Sequence, residues 1–121
     1  MLRAALVAVL AAAAVVLPAA PAAAACPHEG ATRLHSRLTQ ADGALVGWLS
    51  KRRGHTLTFR VQVRVKGVRS DRVRVHVPDG CRTGIRRGAR AGVLLDRRDG
   101  RWDLAGVADP VALLKAEGIG P

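Results

Sequence analysis

A strict alternation of apolar and polar residues is the feature that most constrains the fold of this chain. From Thr56 to Lys66 every second side chain is apolar, and those between are polar or charged. This period of two indicates a β-strand with one buried face. Residues 72–77 alternate in the same way after a turn over residues 67–70. The two runs predict a long hairpin whose inward residues are Leu57, Phe59, Val61, Val63, Val65, Val73, Val75 and Val77.

Three further strands and a helix complete the pattern. Apolar runs predict strands over residues 44–49, 90–95 and 101–105. Asp109 and Pro110 begin a helix that Gly118 ends, and Leu34 and Leu38 indicate a helical turn within residues 31–41. Five antiparallel strands in so short a chain would expose their edges in an open sheet, and closure removes those edges. We therefore expect an all-β fold, a five-stranded OB-fold-like Greek-key barrel with a short C-terminal helix; a small β-sandwich is the alternative.

The N-terminus has the three parts of a signal peptide. Arg3 supplies a positive start, residues 4–17 are apolar, and alanines at 23–25 offer small residues for cleavage. The alternative is an uncleaved anchor, but the apolar run of about 14 residues is shorter than the roughly 20 that span a membrane. We predict a signal peptide over residues 1–25, one domain over residues 26–121 without a transmembrane span, and a secreted or cell-envelope location.

Cys26 and Cys81 are the only cysteines of the chain. In an exported protein two cysteines are expected to pair, because the compartment is oxidising. A bridge closing a loop of about 55 residues would stabilise the fold by roughly 4 kcal/mol. Lipidation of Cys26, directly after the alanines, is the alternative and would make the protein an envelope-anchored lipoprotein.

The chain is strongly basic, with 20 Lys and Arg against 9 Asp and Glu and a net charge of +11. Abundant arginine, alanine, glycine and valine fit a G+C-rich genome, which accounts for part of this charge. The hairpin nevertheless carries an outward basic face, extended by residues 51–53, and such a face attracts polyanions. A solvated strand face is the alternative. The predicted anion-binding residues are Arg60, Arg64, Lys66, Arg72 and Arg74.

Nucleic acid is not expected as the partner. The protein is predicted to be exported, and its three aromatic residues, Trp48, Phe59 and Trp102, do not interleave the charges as stacking platforms do. We expect both tryptophans to pack in the barrel. The partner is instead an unidentified protein or an anionic cell-envelope polymer, bound by a monomer.

Nothing in the sequence indicates catalysis. Nucleophile-elbow and phosphate-loop motifs are absent, and the four histidines lack metal-ligand spacing. Turn and capping roles account for most of the carboxylates, as at Asp79, Asp96, Asp99 and Asp109. The sequence therefore predicts no enzyme, no metal and no cofactor.

Several short motifs, in order, resemble those of the netrin-like domains, the OB-fold group that includes the tissue inhibitors of metalloproteinases. They begin with Cys26 and continue through residues 41–47, a strand and Lys-Gly turn over 59–67, and Cys81. Gly88, residues 92–95, Gly-Arg-Trp at 100–102 and residues 109–114 complete the series. The resemblance implies a secreted protein-binding module and covers nearly all of the predicted mature chain.

The resemblance also implies a disulfide pattern and a possible activity. Relatives carry a second bridge, whose two positions are His28 and Ala105 in this chain, while the first bridge corresponds to Cys26 and Cys81. Loss of both halves of one bridge leaves no lone thiol. In the tissue inhibitors the first cysteine chelates the zinc of the target protease through its terminal amine and carbonyl, and the next side chain enters the specificity pocket. Those residues correspond to Cys26 and Pro27.

Overall fold

The computed structural model describes residues 24–118, which form a five-stranded sheet with two helices. The elements in chain order are α1 (Ala31–Gln40), β1 (Gly43–Arg53), β2 (Thr56–Lys66), β3 (Arg72–His76), β4 (Arg90–Arg98), β5 (Arg101–Ala108) and α2 (Pro110–Ala116). The five predicted strands and the C-terminal helix are confirmed, and the helical turn expected around Leu34 and Leu38 is a helix of ten residues. Of the predicted signal peptide, residues 1–23 lie outside the described part of the chain.

The sheet closes into a barrel in the strand order β1-β2-β3-β5-β4. β1 pairs antiparallel with β2 and β4, β2 with β3, and β4 with β5. The β3–β5 contact is parallel and short, since it pairs only Val75 with Trp102 and His76 with Asp103. This connectivity is that of the predicted five-stranded Greek-key barrel and excludes the sandwich.

The apolar core has two layers. The inner cluster fills the barrel with residues from all five strands, including the fully buried Leu45, Leu49, Phe59, Val75 and Val93. The outer cluster lies between the barrel wall and the helices, where Leu34 and Leu38 of α1 and Leu113 of α2 meet β1 and β4. Both faces of β1 and β4 are therefore buried over much of their length, which explains why their sequences are continuously apolar instead of alternating.

The long strand β2 changes layer at a bulge. Val46 of β1 pairs with Val63, but the next residue, Gly47, pairs with Val61, so that Gln62 has no partner on β1. An extra residue of this kind rotates the strand beyond it. Leu57, Phe59 and Val61 accordingly face the inner cluster, whereas Val63 and Val65 join the outer cluster beneath the helices. The expectation that all five share the barrel interior is wrong for those last two residues.

The helices end and begin where the sequence indicates. The Asp109 side chain accepts a hydrogen bond of 2.9 Å from the Ala112 N–H, which caps α2 ahead of Pro110. In α1 the buried residues Leu34 and Leu38 are four apart and lie on one face. None of the helices within residues 24–118 is long and apolar enough to cross a membrane.

Cys26 and Cys81 form a disulfide with Cα atoms 4.9 Å apart, which confirms the predicted bridge. Backbone hydrogen bonds extend this attachment, because the Cys26 N–H donates to the Arg82 carbonyl at 2.7 Å and the Arg82 N–H donates to the Ala24 carbonyl at 2.9 Å. The N-terminal segment is thus tied to the loop after β3. In this state the sulfur of Cys26 is not available for a lipid, so the structure does not accommodate the lipoprotein alternative.

Gly47 is required by the close approach of β1 to β2. A Cβ at this position would lie 2.3 Å from the Arg60 carbonyl oxygen, a backbone atom that cannot move without disturbing the strand pair. We expect Gly47→Ala to destabilise the protein by about 1–3 kcal/mol, the usual cost of overpacking. Thermal unfolding measures this effect. The control is Gly106→Ala in β5, where the nearest atom is Cγ of the flexible Glu29 side chain at 3.3 Å; an equal loss in both variants would contradict the prediction.

Candidate anion-binding face

The strand register places cations in rows across the outer surface of the barrel. Residues paired across neighbouring strands point to the same side of a sheet. Trp48 of β1 pairs with Arg90 of β4 and with Arg60 of β2, and Arg60 pairs in turn with Arg72 of β3. One transverse row therefore contains three arginines and a tryptophan from four adjacent strands, and all three arginines are exposed.

Two further rows continue this surface along the strands. In the second row, Thr58 of β2 lies between Lys51 of β1 and Arg74 of β3. In the third row, Thr56 lies between Arg53 and His76. The three rows together form what we call the basic face, whose six exposed cations are Lys51, Arg53, Arg60, Arg72, Arg74 and Arg90. Among the side chains that the structure describes, no carboxylate forms an ion pair with any of the six.

The structure brings together three of the five predicted anion-binding residues and places the other two elsewhere. Arg60, Arg72 and Arg74 lie on the basic face. Arg64 lies beyond the β2 bulge, opposite Leu45, and forms an ion pair with Asp71. Lys66 lies at the end of β2.

Lys66 has a structural role at the end of helix α1. Its Nζ donates to the carbonyl oxygens of Leu38 at 3.0 Å and Thr39 at 3.1 Å. A cation at this position satisfies the last helical carbonyls and opposes the helix dipole. Lys66 is thus engaged within the fold and contributes nothing to the basic face.

An aromatic ring orders one of the cations on the basic face. The Arg60 guanidinium lies over the Trp48 ring, 5.0 Å from its centroid, which is a cation–π geometry. Trp48 belongs to neither apolar cluster, so its predicted packing in the barrel is wrong. Trp102 does pack against the inner cluster, as expected, and carries Arg97 over its ring at 4.9 Å.

A buried carboxylate borders the basic face and was not identified from the sequence. The Asp103 side chain is only 6% exposed, and its oxygens lie 3.2 Å from Arg101 Nε, 3.9 Å from Arg98 Nε and 3.6 Å from His76 Nδ1. The Nδ1 atom of His76 is itself buried without a hydrogen-bond partner among the described residues. Asp103 therefore balances Arg98 and Arg101, whereas no described carboxylate plays this part for the six cations of the basic face.

A groove of about 430 Å³ adjoins the basic face where β3 and β5 separate. Its walls are Arg72 and Arg74 on one side and Gly100 and Arg101 on the other, and Trp102 also lines it. β5 pairs with β3 only at Val75 and His76, and the groove occupies the space beside the earlier part of β3. We call this space the β3–β5 groove.

The predicted inhibitory residues occupy a different part of the molecule. Cys26 is 5% exposed, and its backbone nitrogen is bonded to the Arg82 carbonyl. Pro27 is exposed, and its carbonyl accepts a hydrogen bond of 2.9 Å from the Val107 N–H. Among the side chains that were placed, no three of His, Cys, Asp or Glu are grouped so that they could hold a metal ion.

No protein-family model and no curated protein matches the chain. The resemblance to netrin-like domains therefore rests on the residues quoted above and stays a prediction.

Proposed function

We propose that this protein is a small exported, non-catalytic binding module that holds an anionic partner on the basic face. The observation that carries the proposal is the set of six exposed cations in three adjacent rows, none of them paired with a carboxylate in the described part of the chain. A cluster of like charges on one wall of a barrel focuses a positive field and raises the local concentration of polyanions.

The positions of the charged residues support this interpretation more strongly than the net charge of the chain does. A genome that favours arginine would raise the arginine content everywhere, but it would not keep carboxylates away from one face. In this chain the ion-paired carboxylates Glu29, Asp71 and Asp103 each lie beside other cations. On the basic face, Arg60 and Arg72 lie directly opposite each other, an arrangement that destabilises a sheet unless an anion lies between them.

The double variant Arg72→Gln/Arg74→Gln is expected to weaken binding to dextran sulfate and to reduce its dependence on salt. Each cation that contacts a polyanion releases counterions, so the slope of log Kd against log salt concentration should fall by about two when two contacts are removed. Calorimetric titrations over a series of salt concentrations measure both quantities.

The matched control removes the same charge from the helices. Arg33 and Lys115 are exposed on α1 and α2, away from the basic face, so Arg33→Gln/Lys115→Gln should leave the affinity and the slope near the wild-type values. Equal losses in the two double variants would mean that only net charge matters, which would overturn the proposal of a specific face.

Inhibition of a metallopeptidase has weaker support. The bridge between Cys26 and Cys81 is the one that the resemblance implies. The Cys26 nitrogen, however, is buried and bonded to the Arg82 carbonyl, whereas a zinc chelator needs that nitrogen exposed to the target. The disulfide is compatible with an oxidising compartment and so supports the proposal of export.

A further inference from the structure

We infer that the β3–β5 groove binds an extended acidic polypeptide segment, which adds as a short strand to the free edge of β3. This inference rests on the proposed function and names the class of its anionic partner. It depends on three properties of the groove: an unpaired backbone edge, an apolar floor and a cationic rim.

The backbone of β3 has an unpaired edge on the groove side. The Val61 N–H bonds to the Asp71 carbonyl and the Val77 N–H bonds to the His55 carbonyl, so the odd-numbered residues of this segment turn their backbone groups toward β2. The backbone groups of Arg72 and Arg74 consequently point the other way.

β5 does not use the first part of this edge. Its pairing with β3 begins at Val75, and the turn before β5 is at Asp99 and Gly100, so no β5 residue pairs with Arg72 or Val73. Among the described residues, none on this side bonds to the N–H and C=O of Arg72. These groups form a template for an added strand, which is an established way for a sheet to bind a peptide.

The side chains around the groove define what such a strand would carry. Trp102 lines the groove with apolar surface, the buried Val73 lies at its base, and Arg72, Arg74 and Arg101 form its rim. An added residue opposite Val73 points inward with it, and its two neighbours point outward beside the arginines. The segment that fits is therefore about three residues long, with an apolar residue between two acidic ones.

Strand addition also continues the arrangement of the basic face. Arg90, Trp48, Arg60 and Arg72 form a row that ends at β3. A carboxylate on the added strand opposite Arg72 would become the next member of that row and would relieve the repulsion between Arg60 and Arg72. An anionic polysaccharide could meet the same cations, but it has no amide groups to pair with the Arg72 backbone.

The test uses the capped peptide Thr-Glu-Val-Glu-Thr and two N-methylated forms of it. One form is methylated on the backbone nitrogens of both Glu residues, and the other on those of Val and the C-terminal Thr. In a paired strand alternate N–H groups face the neighbouring strand, so one methylated form loses its bonds to β3 and the other does not. We expect the two forms to differ in Kd by about tenfold in NMR titrations, whichever direction the peptide runs. The unmodified peptide should also slow the hydrogen exchange of the Arg72 amide.

Each outcome decides between the two proposals. If both methylated forms and a scrambled peptide of the same composition bind as well as the original, and the Arg72 amide is not protected, strand addition is overturned. The proposed function survives that result as long as dextran sulfate binding still depends on Arg72 and Arg74. If neither the peptides nor dextran sulfate binds, both proposals fail.

Discussion

Removal of the Cys26–Cys81 bridge is expected to lower the free energy of unfolding by about 4 kcal/mol, because it restores to the unfolded chain the freedom of a loop of about 55 residues. The double variant Cys26→Ser/Cys81→Ser is preferable to a single substitution, since it leaves no lone thiol. Its melting temperature should fall by about 15–30 °C relative to the oxidised protein.

Two further measurements test whether the loss of stability comes from the bridge itself. Wild-type protein treated with a reductant should unfold at nearly the same temperature as the double variant, because both lack the same constraint. The intact mass of the oxidised protein should be lower than that of the reduced protein by two hydrogens. A double variant that melted within a few degrees of the oxidised protein would contradict the stabilising role of the bridge.

A valine-to-aspartate substitution should have a much larger effect on stability in the inner layer of the core than in the outer layer. Val75 is fully buried in the barrel interior, and Val75→Asp would place an unpaired carboxylate there at a cost of several kcal/mol. That cost is comparable to the whole stability of a small domain, so we expect this variant not to fold.

Val63→Asp is the matched variant in the outer layer. Val63 is half-buried, and it only borders the outer cluster beneath the helices, so a carboxylate there can reach water. We expect this protein to fold with reduced stability. Circular dichroism and chemical denaturation distinguish the two cases, and an unfolded Val63→Asp with a folded Val75→Asp would reverse the assignment of the layers.

The local pattern of the chain predicted the strands, but it could not predict how they align. Alternation over Thr56–Lys66 identifies a strand correctly, yet nothing in that alternation marks Gln62 as the extra residue that turns Val63 and Val65 to the outer layer. The same bulge separates Arg64 from Arg60, and a second register shift in β2 precedes Lys66. An extra residue is a property of the pairing between two strands, and sequence periodicity describes only one of them.

Residues of the candidate site were missed for the same reason. Arg90 belongs to the basic face only because it pairs with Trp48, which in turn pairs with Arg60. The sequence did assign residues 51–53 to this face, but only Lys51 and Arg53 lie on it, because Arg52 between them donates to the Ile85 carbonyl. Asp103 did offer a signal, because a carboxylate between Trp102 and Leu104 in the middle of a strand cannot be a turn residue.

The position of the disulfide in the chain has a consequence for biogenesis. The bridge encloses β1, β2 and β3, and it can close before β4 and β5 have been synthesised. At that stage the nascent chain is a three-stranded meander whose inner apolar side has no opposite wall. β4 must then pair antiparallel with β1, the first strand to be made. A holdase chaperone that shields this oxidised half-barrel would therefore raise the yield of native protein more than a disulfide isomerase, since a chain with two cysteines has only one intramolecular bridge to form.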